Sequence, residues 1–226
     1  MLNGIDASVW DPNTDPKLVK NFTLSQAQSG KKANKRWLCK EFGLDPDRPL
    51  FVFIGRLVGE KGADLFPELV RNIRSNPKMN TIILGSGNKQ LEKELKALEG
   101  ESFAAFMGYD ESLAHKMYAG ADFLLMPSRV EPCGLNQMYA LRYGTVPIVN
   151  PIGGLKDTVT DLAEDGFGIR ITNVSVEAML EGIERALAFY EDQKRFKKIR
   201  KQIMQIDHSW NESAEQYFSV YKSVSQ

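Results

Sequence analysis

The chain has 226 residues, of which 42% are hydrophobic and 26% charged. That is enough apolar material for one large domain and rules out a disordered chain. Its 29 Lys and Arg are balanced by 29 Asp and Glu, so the whole-chain balance gives no reason to expect a nucleic-acid partner, which needs a cationic surface.

Two cysteines, Cys39 and Cys133, stand far apart with no second pair. They form neither a disulfide framework nor a zinc knuckle, and they suit a reducing compartment. No run of about 18 apolar residues exists, so no membrane span is expected. Met1 to Asp6 have neither a basic nor an apolar stretch. No signal peptide is therefore expected, and a cytoplasmic location is the default.

Residues 1–48 read as an irregular lead-in, with turn signals at Asn3-Gly4, Asp11-Pro12-Asn13 and Asp15-Pro16. Near its end Trp37, Leu38 and Phe42 predict a helix closed by Gly43. The basic runs 31–40 and 194–201 are interleaved with apolar residues at helical spacing, which predicts solvated helix faces.

A rhythm of short apolar runs then begins at residue 49. Runs at 50–54, 81–84, 103–106, 123–126, 146–149 and 168–171 alternate with helical patterns, most of them closing at a glycine or proline. Strands of this kind belong to a parallel sheet covered on both faces. The right-handed crossover rule makes the expected fold a doubly wound, Rossmann-like α/β domain over residues 49–226. After about residue 175 the pattern is helical only. Trp210, Tyr217, Phe218 and Tyr221 give the last helix an aromatic face, expected to pack on the domain or on a partner.

In such a sheet ligands sit beyond the carboxyl ends of the strands. The first strand is followed by Gly55-Arg56-Leu57-Val58-Gly59-Glu60-Lys61-Gly62. The glycines permit close backbone approach, and Arg56 and Lys61 suit a diphosphate. An ordinary loop with surface cations is the alternative.

The second strand is followed by Gly85-Ser86-Gly87, with Gln90 where the third glycine of a dinucleotide fingerprint belongs. This argues against a nicotinamide-dependent dehydrogenase. The fourth strand leads into Pro127-Ser128-Arg129-Val130-Glu131-Pro132-Cys133-Gly134-Leu135. Glu131 is either a dipole partner near a helix N-terminus or a group aimed at sugar hydroxyls. Cys133 has no histidine in its local sequence to activate it as a nucleophile.

These stretches resemble the donor-site motifs of glycogen and starch synthases that use ADP-glucose. The resemblance is carried by Gly55-Arg56-Leu57 with Lys61-Gly62, by Pro127-Ser128-Arg129, and most specifically by Glu131-Pro132-Cys133-Gly134-Leu135. Asn3-Gly4-Ile5-Asp6, Ala119-Gly120-Ala121-Asp122 and Gly153-Gly154-Leu155 match in order and spacing.

The resemblance implies the C-terminal domain of a two-domain, GT-B glycosyltransferase. It implies that Arg56 and Lys61 contact the donor diphosphate and that Glu131 holds the donor glucose. Cys133, Gly134 and Leu135 would line the phosphates with backbone, and Tyr109 would stack on adenine. Arg56, Lys61 and Glu131 would be the catalytic set, with ADP-glucose as donor substrate and an α-1,4-glucan as acceptor. Neither a metal nor a further cofactor is expected, because the two cations stand where a metal would.

Asn136 and Ile152 depart from the family pattern, each standing where threonine is usual. Tyr139 occupies the position of a second glutamate found in other retaining relatives. The family's N-terminal domain, with its Lys-x-Gly-Gly-Leu loop, has no counterpart in these residues. The chain thus reads as half of a longer enzyme and as inactive alone. A non-catalytic binding module, or a transferase using a UDP-sugar, is the alternative.

Overall fold

A computed structural model describes residues 2–74 and 76–224. Six parallel strands make one sheet: β1 (Leu50–Ile54), β2 (Asn80–Gly85), β3 (Phe103–Met107), β4 (Phe123–Met126), β5 (Val146–Val149) and β6 (Ile169–Arg170). Their order is β3-β2-β1-β4-β5-β6, the doubly wound arrangement expected from the alternating pattern.

The continuous apolar runs arise because both sheet faces are buried. Along β1, Phe51 and Phe53 enter one core while Leu50 and Val52 enter the other, as a period of two requires. Helices α2 (Phe66–Ile73), α3 (Lys89–Ala97) and α7 (Val176–Glu191) pack on the Phe51 face. Helices α1 (Ala27–Glu41) and α4 (Glu111–Gly120) pack on the other. The remaining helices are α5 (Asn136–Arg142), α6 (Gly154–Thr158), α8 (Gln193–Ile203) and α9 (Trp210–Val224). Among the described residues no helix is long and apolar enough to cross a membrane.

The lead-in is less irregular than expected, since α1 occupies fifteen of its residues. The predicted stop is where the helix ends. The Phe42 N–H bonds back to Leu38, the Leu44 N–H bonds to the Cys39 carbonyl, and Gly43 between them has φ 67°. Left-handed backbone of that kind favours glycine.

The solvated-face reading of the two basic runs holds for most of their basic residues, Lys32, Lys40, Lys194 and Lys197 among them, which are exposed, and it is corrected at three. Lys31, Lys35 and Arg200 are only 2%, 6% and 5% exposed. Lys31 Nζ donates to the carbonyls of Tyr118 (3.0 Å) and Tyr143 (2.9 Å) and to Thr145 Oγ1 (2.7 Å). Asp122 accepts from Lys35 Nζ and Arg200 Nη2, each at 2.8 Å, and from the Leu50 N–H at 3.0 Å. A charge-pattern rule counts signs along one helix, whereas these partners lie at least 78 residues away. Burial alone would raise the Asp122 pKa. The two cations outweigh it and hold the carboxyl below the ordinary range.

Helix α9 starts beside the beginning of the chain. The Ile5 N–H donates to His208 O (2.7 Å) and Ser213 Oγ to Leu2 O (2.6 Å). Of the two outcomes expected for its aromatic face, packing on the domain or on a partner, the first is not met at Trp210 and Phe218, which stay exposed.

Candidate functional site

The loops after β1, β2, β3 and β4 converge at the carboxyl edge of the sheet. The loop after β1 turns back at Gly62, whose φ is 68°. A Cβ there would overlap the Pro127 carbonyl of the loop after β4, so these two loops touch only because residue 62 has no side chain. Arg129 ties them further. Its N–H donates to Glu60 O (2.8 Å), and its guanidinium reaches Gly59 O (2.7 Å) and both Asp64 carboxylate oxygens (2.5 and 2.9 Å).

This contact brings Lys61 to Glu131. Lys61 Nζ lies 2.5 Å from Glu131 Oε2, which also accepts from Ser128 Oγ at 3.0 Å. The Lys61 side chain keeps 25% of its surface exposed and Glu131 keeps 9%. A cation and a carboxylate are therefore held ready, mostly out of water. The Glu131 carbonyl accepts from the Gly154 N–H at 3.1 Å, so the loop after β5 supports the same residue.

Beside the pair lies a cleft of about 280 Å³ walled by Ile54, Gly55, Arg56, Tyr109 and Asn136 among others. Two of the named residues, Arg56 and Tyr109, thus share one opening. Lys61 and Glu131 do not line it and form a neighbouring cluster. Tyr109 is 85% exposed, which does not fit a tyrosine held by the core. The Arg56 side chain is 67% exposed and, among the described residues, its one hydrogen-bond and ion-pair partner is Glu60, at 3.2 Å. It is free to turn toward an anion.

Cys133, Gly134 and Leu135 complete the loop after β4. The Cys133 sulfur accepts a hydrogen bond from the Asn3 N–H at 3.3 Å, and no histidine contacts it among the described residues. Gly134 has φ 68°. The N–H groups of Gly134 and Leu135 meet no acceptor among the described residues.

Two positioning residues were missed in the sequence. Asn136 donates its amide to Ile54 O at 2.7 Å, joining the loop after β4 to the end of β1. Gln137 is fully buried and donates to Gly134 O (3.0 Å) and Thr158 Oγ1 (3.1 Å), bracing the loop against α6. A glutamine one residue into a helix carries no local signal of such a role. Among the described residues no three His, Cys, Asp or Glu side chains are grouped to hold a metal.

The family model for glycosyl transferases group 1 matches residues 35–203. A glycogen synthase of Flavobacterium johnsoniae is 46% identical over all of this chain and 49% of its own length. The catalytic domain of starch synthase IV from Arabidopsis thaliana, solved bound to ADP and acarbose, is 35% identical with a TM-score of 0.91. It is matched over all of this chain and 49% of that one. A C-terminal domain of a group 1 glycosyl transferase from Francisella tularensis is 18% identical, with a TM-score of 0.59 over 95% of this chain and 98% of its own. The chain spans about half the length of the glycogen synthases it matches. With a family match over most of its length and a sheet of the same architecture, the chain belongs to the group 1 glycosyl transferases.

Proposed function

We propose that this chain is the donor-binding half of a glycogen or starch synthase. The whole enzyme transfers glucose from ADP-glucose to the 4-hydroxyl at the non-reducing end of an α-1,4-glucan, with retention. The observation that carries the reading is the Lys61–Glu131 pair, held at 2.5 Å beside the cleft that Arg56 and Tyr109 wall.

In this reading the diphosphate lies between Arg56 and Lys61, adenine stacks on Tyr109, and the donor glucose presents hydroxyls to Glu131. Cleavage of the bond from C1 to the diphosphate oxygen leaves new negative charge on ADP. A cation held in place, as Lys61 is, stabilises that charge more in the transition state than in the ground state, which is what accelerates a reaction. Glu131, already bound to Ser128 and Lys61, accepts from sugar hydroxyls with little reorganisation. Open backbone N–H groups at Gly134 and Leu135 supply further donors to the phosphates.

The acceptor hydroxyl must be held against C1, and orientation of this kind is worth roughly 7–11 kcal/mol. One wall of a cleft does not supply it. The isolated chain is therefore expected to be inactive, and the facing N-terminal domain to complete the site.

Incorporation of radiolabel from ADP-glucose into glycogen tests the proposal. The full-length protein should incorporate label, its Glu131→Ala variant should lose most of that activity, and the 226-residue chain should show none. Robust incorporation by the chain alone would refute the half-site reading, and a near-normal Glu131→Ala enzyme would remove Glu131 from the mechanism. Stronger inhibition by UDP than by ADP would assign the donor to uridine.

A further inference from the structure

The buried cations of α1 and α8 floor a second pocket, of about 370 Å³, within the range of roughly 300–1,000 Å³ typical of small-ligand sites. Lys31, Lys32, Lys35, Lys197 and Arg200 line it against Asp47 and Asp122, a formal excess of three positive charges. It opens at the amino edge of the sheet. Asp122 on its floor binds the Leu50 N–H at the start of β1, whereas Ile54 at the end of β1 lines the cleft. At about 3.3 Å per residue the strand sets the two openings roughly 13 Å apart.

The floor offers more donors than the protein accepts. Lys35 Nζ donates to Asp122 (2.8 Å) and the Tyr190 hydroxyl (3.4 Å), keeping a third N–H. Arg200 gives three N–H groups to Gly144 O, Gln28 Oε1 and Asp122, leaving two of its five. The buried Gln28 Nε2 has no partner among the described residues. Lys31 is saturated by its three acceptors and offers the pocket no further donor. Its ammonium pKa is pushed down by burial and then by the nearby Arg200 charge. At the rim, Lys32 and Lys197 are exposed and pair with no carboxylate among the described residues.

Asp122 is the one buried carboxylate in the pocket, and it is already shared between Lys35 and Arg200. Unspent donors around an uncompensated positive field define a receptor for a compact anion with several oxygen acceptors. We propose that this pocket binds a phosphate group, as the free ion or as a small phosphate ester, at a site separate from the donor cleft. Lys35, Arg200 and Gln28 form its floor, and Lys32 and Lys197 close over it.

The test is a phosphate titration of the ¹⁵N-labelled 226-residue chain at constant ionic strength, with chloride as the exchanged ion. Inorganic phosphate should give saturable shifts at Lys32, Lys35, Lys197 and Arg200. The double variant Lys32→Gln/Lys197→Gln should bind at least about tenfold more weakly, and its thermal midpoint without phosphate should be unchanged because both side chains are exposed. Lys61→Ala should retain the wild-type response, which separates this pocket from the donor cleft. Tighter binding of a hexose monophosphate than of inorganic phosphate assigns the pocket to an ester, and the reverse order to the free ion. The proposal is overturned by a wild-type response that does not saturate, by equal affinity in the double variant, or by loss of the response in Lys61→Ala.

Discussion

Removing Lys61 asks how the donor cations are held before a ligand arrives. The lysine is three-quarters buried and fixed at 2.5 Å from Glu131 Oε2, whereas Arg56 is 67% exposed and held, among the described residues, only by Glu60. A hydrogen bond to a charged group contributes about 1.5–3 kcal/mol, and every 1.4 kcal/mol is about tenfold in affinity. Lys61→Ala should thus weaken ADP binding by roughly 10- to 150-fold. Arg56→Ala should weaken it less, by about fivefold at most, because ordering a free arginine consumes up to ~2 kcal/mol of rotamer entropy.

A second consequence follows from the carboxylate left behind. Without Lys61, the Glu131 carboxylate keeps, among the described residues, only the Ser128 hydroxyl as a side-chain hydrogen-bond partner. A bare carboxylate about 6 Å from a diphosphate repels it by ~3 kcal/mol per unit charge at an effective dielectric constant near 20. Adding Glu131→Gln to Lys61→Ala removes that charge and should restore ADP affinity by up to about 100-fold. Titration calorimetry on the four proteins measures all of this. An equal or larger loss in Arg56→Ala would refute the idea that burial pre-positions Lys61. A double variant as weak as Lys61→Ala would refute the electrostatic coupling.

Tyr109→Ala should weaken ADP by roughly 5- to 150-fold, the range of ~1–3 kcal/mol for a stacked base, and leave pyrophosphate binding unchanged. Equal losses for both ligands in calorimetry would mean that Tyr109 supports the loop and not the base. Asp122→Asn should destabilise the fold by about 3–5 kcal/mol, because Lys35 and Arg200 lose the buried carboxylate they share. The Asp122 carboxyl titrates below its unfolded value. Its contribution is therefore complete above about pH 4 and lost as pH falls through the lower folded value. Urea unfolding at pH 7 and pH 3 should show a smaller acid loss in Asp122→Asn than in wild type, and parallel losses would contradict the assignment.

Strand positions were legible because β1, β2, β4 and β5 are buried on both faces and carry almost no polar interruption. The loops that hold Arg56, Lys61, Tyr109 and Glu131 were legible because each follows a strand directly, where a parallel sheet exposes its ligand edge. Individual side-chain partners were not. Lys61 and Glu131 were singled out separately, but their contact spans 70 residues and depends on an absent side chain at Gly62. Asn136 read as a departure from a family pattern. Its bond to Ile54 O spans 82 residues and shows what that amide does. Lys31 and Lys35 of α1 misread as solvated for the same reason, since nothing within their helix announces Asp122 or the Tyr118 and Tyr143 carbonyls.

The buried ion cluster and the candidate site are mechanically joined through two strands. Asp122 immediately precedes β4, and its carboxylate holds the first N–H of β1 and the cations of α1 and α8. It therefore fixes the register in which β1 and β4 pair, Phe51 with Phe123 and Val52 with Leu124. That register decides where the two strands end, and hence where the Lys61 and Glu131 loops meet. Both strands are short and fully buried over most of their length, and the Phe51 and Phe123 rings stack at 4.8 Å. A shift of one residue between them would exchange the two cores, and it would move Lys61 away from Glu131 by about one residue rise, ~3.3 Å. A 2.5 Å contact does not survive such a step. The charged cluster at the amino edge thus acts on the site by setting register, and its conservative variants should alter ADP affinity only as far as they alter the pairing of β1 with β4.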